Sequence, residues 1–468
     1  MSELSALTQQ AKQLKQQNRY EEAIALYKQA CLISPQNPVT EHNLAAAYGD
    51  ADLLHDARYH ARMALQLGST YAATWLVLAR AEQGLQHFGA AEQAYRKVLA
   101  IDPTQAEAQL ELAQLVWMQS ANIQEAVATL ISTIKQHPDN PVLRLTLARV
   151  FEGAGDVAVG YKVLADTLLF MEDEVLLSTA AHLALDNGDY EQALLHAERA
   201  FAFAPEYAPA LMAYCYALMA NEQAAQALPV IDSYLQQQPD DQLALAVQAT
   251  ALRLCGDERY QDLCNYKSMV QAYSLQTPQG WSSLPDYLTE LKQAVRQHHH
   301  FKAHPFGQSV RHGSQQPSLL RFKDPAIQAF PQAIAPAIEQ YLQHIGTDKQ
   351  HPLSRRNQQD WQFNGIWSVL LKSQGFHSNH VHSKGWISSA CYLELPNTVK
   401  QGNVDGWLKF GEPGLATQPK LAVERYVKPE VGQLVLFPSY FWHGTVPFSS
   451  SDSRMTIAFD LVPKSSCC

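Results

Sequence analysis

Three histidines and one arginine in the last quarter of this chain have the types and spacing to act together. His380 and His382 stand two apart just before the β-rich run 387–395, and alternate residues of an extended segment point to the same side. His443 follows a second β-rich run, 433–437, then a proline and a turn, so a third imidazole can reach the same place from another strand. Imidazoles gathered in this way hold a divalent metal on one face and leave its remaining positions open. Arg454 comes eleven residues after His443, with Thr456 two further on, at the start of the last apolar run. A guanidinium fork with a hydroxyl beside it suits a carboxylate. The two halves make one chemical request: Fe(II) with room for O2 and a chelating 2-oxo acid, and a cation for that acid's distal carboxylate. Ser368 and Tyr392 are further candidates, either to hydrogen-bond such a cosubstrate or to satisfy backbone groups.

Short strands must carry these residues. Runs 365–372, 387–395, 433–437 and 455–460 are rich in β-branched and apolar residues and are separated by turn formers. Strands at that spacing without intervening helices suggest a sandwich or jelly roll. Ahead of them, apolar residues recur every three or four positions over 284–298 and 326–345, which predicts flanking helices. The polar stretch 304–313 between the two reads as a loop, and Gln308 and Arg311 in it are placed to close over a pocket. Trp367, Trp386, Trp407 and Trp442 are expected to pack the core or rim. Tyr440 is expected to satisfy backbone groups or to contact the cosubstrate.

The first half has a different rhythm. Tyr20, Ala23, Tyr27 and Ala30, followed by Pro35, set a register that returns 34 residues on at Ala57, Ala61 and Ala64, and again at Ala91, Tyr95 and Pro103. Leu44-Ala45 with Tyr48, and Trp75 with Leu78-Ala79, mark the other helix of each unit. After a one-residue insertion Leu112-Ala113, Pro138, Leu147-Ala148, Phe151, Ala193, Pro205, Ala227 and Pro239 keep the beat. Small residues let antiparallel helices approach, large ones fill the groove beside them, and the proline stops the second helix. One hairpin cannot bury its own apolar face, but about seven stacked from residue 4 to 241 can, with 242–273 as a capping pair. These residues resemble the tetratricopeptide repeat family, which implies an all-α solenoid whose groove grips a peptide or protein, or a second copy of the chain.

Composition narrows the classes further. A formal net charge of -10 and the absence of long Lys/Arg runs argue against nucleic acid as a partner. No window approaches 18 apolar residues and no basic-then-apolar leader opens the chain, so the expectation is a cytoplasmic protein without a membrane span. Seven scattered cysteines form neither a disulfide framework nor a zinc pattern. The terminal Cys467-Cys468 pair is expected to be a tail without a role.

The run 375–392, with Gly406-Trp407-Leu408-Lys409-Phe410-Gly411 and the stretch from Leu436 to Thr445, resembles the 2-oxoglutarate/Fe(II) oxygenases found fused to tetratricopeptide repeats in bacteria. The resemblance covers nearly the whole chain. It implies a solenoid over 1–273 and a double-stranded β-helix, jelly-roll or cupin-like, over 274–468. It also implies a dioxygenase using Fe(II), 2-oxoglutarate and O2 to hydroxylate a protein or peptide recruited by the repeats. His380, His382 and His443 would hold the metal, and Arg454, Thr456, Tyr392 and Ser368 the cosubstrate. The wider superfamily has Asp or Glu where this chain has His382. Three-histidine iron sites occur in related cupin dioxygenases; otherwise His377 or Asp405 completes the site, or the metal is lost. Two other readings stand beside the oxygenase: a scaffold with a silent cupin-like cap, and a three-histidine dioxygenase acting on a small molecule without 2-oxoglutarate.

Overall fold

The computed structural model describes residues 2–400 and 403–464, so Cys467 and Cys468 lie outside it. The chain divides into two compact units between Val150 and Phe151, inside the helix Pro141–Ala154. No described helix is long and apolar enough to cross a membrane.

Paired helices build the first unit, from Glu3–Gln16 and Tyr20–Ile33 to Ala106–Ser120 and Ile123–Gln136. The second unit continues the pattern from Val157–Thr167 to Gln242–Cys255. Ala23, Ala30, Ala57, Ala61, Ala91, Ala193 and Ala227 have no exposed surface, as close helix approach requires. Pro35, Pro103, Pro138, Pro205 and Pro239 each lie two residues beyond a helix end, where a missing N–H leaves no helical bond unmade. Asn37, Asn122, Asp173 and Asp241 cap the following helices by accepting backbone N–H bonds. The long polar faces between these positions stay in water.

Among the described residues, nine strands complete the second unit: β1 Gln271–Ser274, β2 Val310–Gln316, β3 Trp361–His377, β4 Ile387–Glu394, β5 Leu408–Phe410, β6 Arg425–Val427, β7 Gln433–Pro438, β8 His443–Thr445 and β9 Arg454–Pro463. They form a six-stranded sheet in the order β1-β7-β4-β9-β3-β2 and a three-stranded sheet in the order β6-β5-β8. Every pairing is antiparallel. Both sheets line one cavity, the arrangement of a jelly roll.

The pleat sorts the residues of the large sheet. Ile387, Cys391, Leu434, Leu436, Met455, Ile457, Phe459 and Leu461 face one way, into a core with Tyr287, Leu291, Phe330 and Ile338 of the helices Leu284–Arg296 and Phe330–Ile345. Full burial of each large apolar side chain there contributes about 1.5–3 kcal/mol. Arg454, Thr456, Ala458 and Asp460 of β9 face the cavity. Two expectations change. The helix expected over 326–345 is two, Pro325–Gln328 and Phe330–Ile345, because Pro331 opens a new first turn. The stretch expected to be loop to 313 becomes strand from Val310, since β3 supplies its hydrogen-bond partners.

The last repeat helix shares a core with the jelly roll. Trp442 Nε1 donates to Thr250 Oγ1 at 2.9 Å, Tyr440 Oη to the Leu263 carbonyl at 2.8 Å, and Arg253 Nη1 to the Gly411 carbonyl at 2.7 Å. The β-domain is thereby seated on Gln242–Cys255.

Candidate metal and cosubstrate site

His380 and His443 are tied directly by backbone: the His380 N–H donates to the His443 carbonyl at 2.9 Å and the His443 N–H returns a bond at 3.1 Å. This bridge brings the segment before β4 to the first residue of β8. The nearest ring nitrogens of His380, His382 and His443 all lie within 4.8 Å of one another. Each Nδ1 has its own partner: the Ser378 carbonyl at 2.8 Å for His380, Asp460 Oδ1 at 2.5 Å for His382, and the Phe441 carbonyl at 2.9 Å for His443. A carbonyl or carboxylate only accepts, so each Nδ1 carries a proton, and in the neutral form of such an imidazole Nε2 presents a lone pair. His380 Nε2 and His382 Nε2 face each other at 3.1 Å. Two lone pairs at that distance repel unless a cation lies between them, which is how imidazoles behave around a metal. Burial and then the neighbouring imidazoles hold His380 down at about 3, and push His443 well below the ordinary value, so both are neutral and ready to ligate.

Arg454 is the other fixed point. It is 2% exposed, its Nε donates to the Gly406 carbonyl at 3.2 Å, and no carboxylate among the described residues pairs with it. Its guanidinium lies 5.1 Å from the Tyr392 ring centre. The buried Tyr392 hydroxyl faces this guanidinium and has no other partner. Thr456 pairs with Tyr392 on one side and Val369 on the other. A buried cation with no carboxylate to balance it is costly unless an anion joins it. Arg454, Thr456 and the three histidines line one cavity of about 430 Å³. Trp367, Val369, Leu408 and Phe437 supply its apolar wall, with the Trp367 ring centre 5.5 Å from that of His382.

The family model described as "Putative 2OG-Fe(II) oxygenase" matches residues 365–460, a span that holds all of these groups. Tetratricopeptide repeat models match 11–51, 84–141 and 184–251. The chain thus matches tetratricopeptide repeat models in its first half and, after them, a model for a 2OG-Fe(II) oxygenase domain. Among curated proteins, RNA polymerase II-associated protein 3 of Mus musculus is 32% identical over 99 residues, 21% of this chain and 15% of that protein. The chain therefore spans only a small part of that relative. Among solved structures, the first TPR of Spaghetti bound to an HSP90 peptide is 28% identical, with a TM-score of 0.24, covering 24% of this chain and 89% of that one. A tetratricopeptide repeat protein from Parabacteroides merdae is 16% identical, with a TM-score of 0.38, covering 53% and 98%.

The donor set of this domain fits Fe(II) and 2-oxoglutarate: three clustered imidazoles, and a buried guanidinium that no carboxylate among the described residues pairs with. Asp405 is not part of the cluster; it accepts from Asn403 Nδ2 in the turn before β5. His377 lines the cavity, but its Nδ1 is engaged with Ser309 Oγ at 3.0 Å, and the group of three does not include it. Ser368 is a correction. Trp367 and Val369 take the cavity side of β3, so Ser368 points through the sheet, where its Oγ meets His299 Nε2 at 3.0 Å.

The other singled-out residues sort as follows. Trp386 is core, donating to the Leu353 carbonyl, and Trp442 packs against the last repeat helix. Trp407 does not line the cavity. Gln308 does, whereas Arg311 Nη1 donates back to the carbonyls of Gln308 and Val310. Their loop is docked: His304 Nε2 lies 3.0 Å from the Gly153 carbonyl, and a Cβ at Gly153 would sit 2.5 Å from the Phe306 ring. Sequence reasoning missed Asp460 and Ser309. Counting on by twos from Arg454 and Thr456 reaches Asp460, a signal that was there to read.

Proposed function

We propose that the chain is a 2-oxoglutarate- and Fe(II)-dependent dioxygenase that hydroxylates a C–H bond of a protein or peptide held by its repeats. The observation that carries this reading is the single cavity shared by three clustered imidazoles and a buried Arg454 that no carboxylate among the described residues pairs with. His380, His382 and His443 would hold the iron, and Arg454 with Thr456 and Tyr392 would hold the distal carboxylate of 2-oxoglutarate. When bound, Fe(II), 2-oxoglutarate and O2 supply an oxidant strong enough for an unactivated C–H bond. The chain's own contribution is to fix that geometry and keep water from it. The Ser378, Asp460 and Phe441 acceptors hold each imidazole in one tautomer. Trp367, Leu408 and Phe437 exclude water from the cavity.

Repeat arrays present long concave surfaces, which favours an extended peptide over a small molecule. In this reading residues 1–273 recruit and residues 274–468 oxidise. A reducing compartment, the cytoplasm, suits the free thiols of Cys215, Cys264 and Cys391. The scaffold alternative leaves the buried charge of Arg454 without a use, and the small-molecule alternative leaves the guanidinium without its carboxylate.

Succinate formation from 2-oxoglutarate by the full chain loaded anaerobically with Fe(II), then exposed to O2, tests the proposal. Turnover that disappears in His443→Ala and Arg454→Ala supports it. No turnover, with no Fe(II) and no 2-oxoglutarate binding, sinks it and brings the scaffold reading forward.

A further inference from the structure

Behind His382, at the edge of the cavity, lies a cluster of polar side chains centred on Asp460. Asp460 is 7% exposed and directs Oδ1 at His382 Nδ1. The same oxygen accepts from Ser388 Oγ at 2.7 Å, and Ser388 Oγ is 2.8 Å from Ser439 Oγ; both serines have no exposed surface. The pairing of β4 with β9 sets Ser388 opposite Asp460. Gly385 closes the cluster, since a Cβ there would sit 2.3 Å from Ser439 Oγ and 3.2 Å from Asp460 Cγ. No lysine or arginine pairs with this carboxylate among the described ion pairs; its partner there is His382.

We propose that Asp460 is the positioning residue of the metal site, locking His382 in the Nδ1–H tautomer and lending the centre, through that imidazole, a negative charge. The inference rests on the reading of His380, His382 and His443 as a metal site. His380 and His443 are oriented by neutral backbone carbonyls, whereas His382 alone is backed by a carboxylate. A hydrogen-bonded carboxylate fixes the ring, aims Nε2 and makes the imidazole a stronger donor. The three imidazoles are themselves uncharged donors when neutral, so Asp460 supplies a negative charge one residue outward, where Ser388 Oγ donates to it.

Co(II) affinity of the full chain, measured by calorimetry and by its visible absorption, tests this beside a long-range proton–nitrogen NMR spectrum of metal-free, histidine-labelled protein. The His382 signals are assigned by their loss in His382→Gln. Asp460→Ala is expected to weaken Co(II) binding about 10–100-fold and to shift His382 away from the Nδ1–H tautomer. Asp460→Asn, which keeps an acceptor but not the charge and fills the same space, is expected to lose less affinity and retain the tautomer. Should Asp460→Ala fail to fold, Asp460→Asn with Ser388→Ala, which removes a donor to the carboxylate, is expected to show an intermediate loss. Variants that fold and bind Co(II) within about twofold of the native chain, with His382 unchanged, overturn the inference and leave the site reading intact. A native chain that binds no Co(II) overturns both.

Discussion

In the repeats the side chains with no exposed surface are mostly apolar, many of them alanines such as Ala23, Ala57, Ala91 and Ala197 beside Val98, Leu130 and Leu183, whereas on the cavity side of the jelly roll the polar Ser388, Ser439, Arg454, Thr456 and Asp460 are buried. The first set lets helices touch and is repeated from pair to pair. The second is held by bonds made once each: Asp460 to His382, Ser388 to Asp460, Arg454 to the Gly406 carbonyl. Redundant apolar contacts spread a change over neighbours, while a singly made polar contact has no substitute nearby. Substitutions should therefore separate cleanly into those that alter stability and those that alter ligand binding.

The sharpest break in that comparison is Arg454→Met. It removes the buried cation while keeping bulk, and is expected to weaken 2-oxoglutarate binding about 30-fold or more by calorimetry, as for other buried charge contacts. Thermal stability should hold or rise, since the charge is unpaired without ligand. An unchanged affinity would mean the carboxylate binds elsewhere.

Overpacking a repeat should do the reverse. Ala91→Leu or Ala197→Leu forces apart helices that meet at a residue with no exposed surface, at an expected cost of about 1–3 kcal/mol in denaturant unfolding. Metal and 2-oxoglutarate affinity per folded molecule should stay native. A loss of either would show that packing in the repeats reaches the site.

A finer comparison runs between the two faces of one sheet. Thr456→Val removes a hydroxyl from the cavity, and the expected loss of 2-oxoglutarate affinity is several-fold, about 0.5–1.5 kcal/mol for one hydrogen bond. Ser368→Ala should leave that affinity alone and cost about 1 kcal/mol of stability, because His299 Nε2 loses its partner. Equal effects on binding would restore Ser368 to the site.

A further comparison is a pH dependence behind the sheet. Burial pushes His299, held between Ser314 and Ser368, down to about 3. The unfolded chain then takes up a proton near pH 6.5 that the folded chain refuses until about 3, so stability is full above the first value and falls as pH drops toward the second. His299→Gln should flatten the fall in denaturation midpoint between about pH 6.5 and 5. Parallel curves for the two proteins would remove His299 from the account.

Much of this was legible in the residues. The 34-residue beat, the prolines beyond the helices, the four main strands and the grouping of His380, His382 and His443 with Arg454 all follow from local pattern. Strands of three or four residues, Gln271–Ser274, Leu408–Phe410, Arg425–Val427 and His443–Thr445, did not, because so short a run has no period of its own and becomes a strand only when a neighbour supplies the hydrogen bonds. The face taken by Ser368 was equally hidden, since alternation sorts residues into two sets without saying which set looks inward.

By itself, then, the sequence determined the repeats and the inventory of groups for the site, because helix pairing and strand alternation act between near neighbours along the chain. Only the tertiary structure decided that Asp460 stands behind His382, 78 positions away, that Ser388 meets it across 72, and that Arg454 faces the cavity without a carboxylate. Those choices depend on which strands pair and in what register. Register is set by the burial of whole sheet faces, a property that no single stretch of residues possesses.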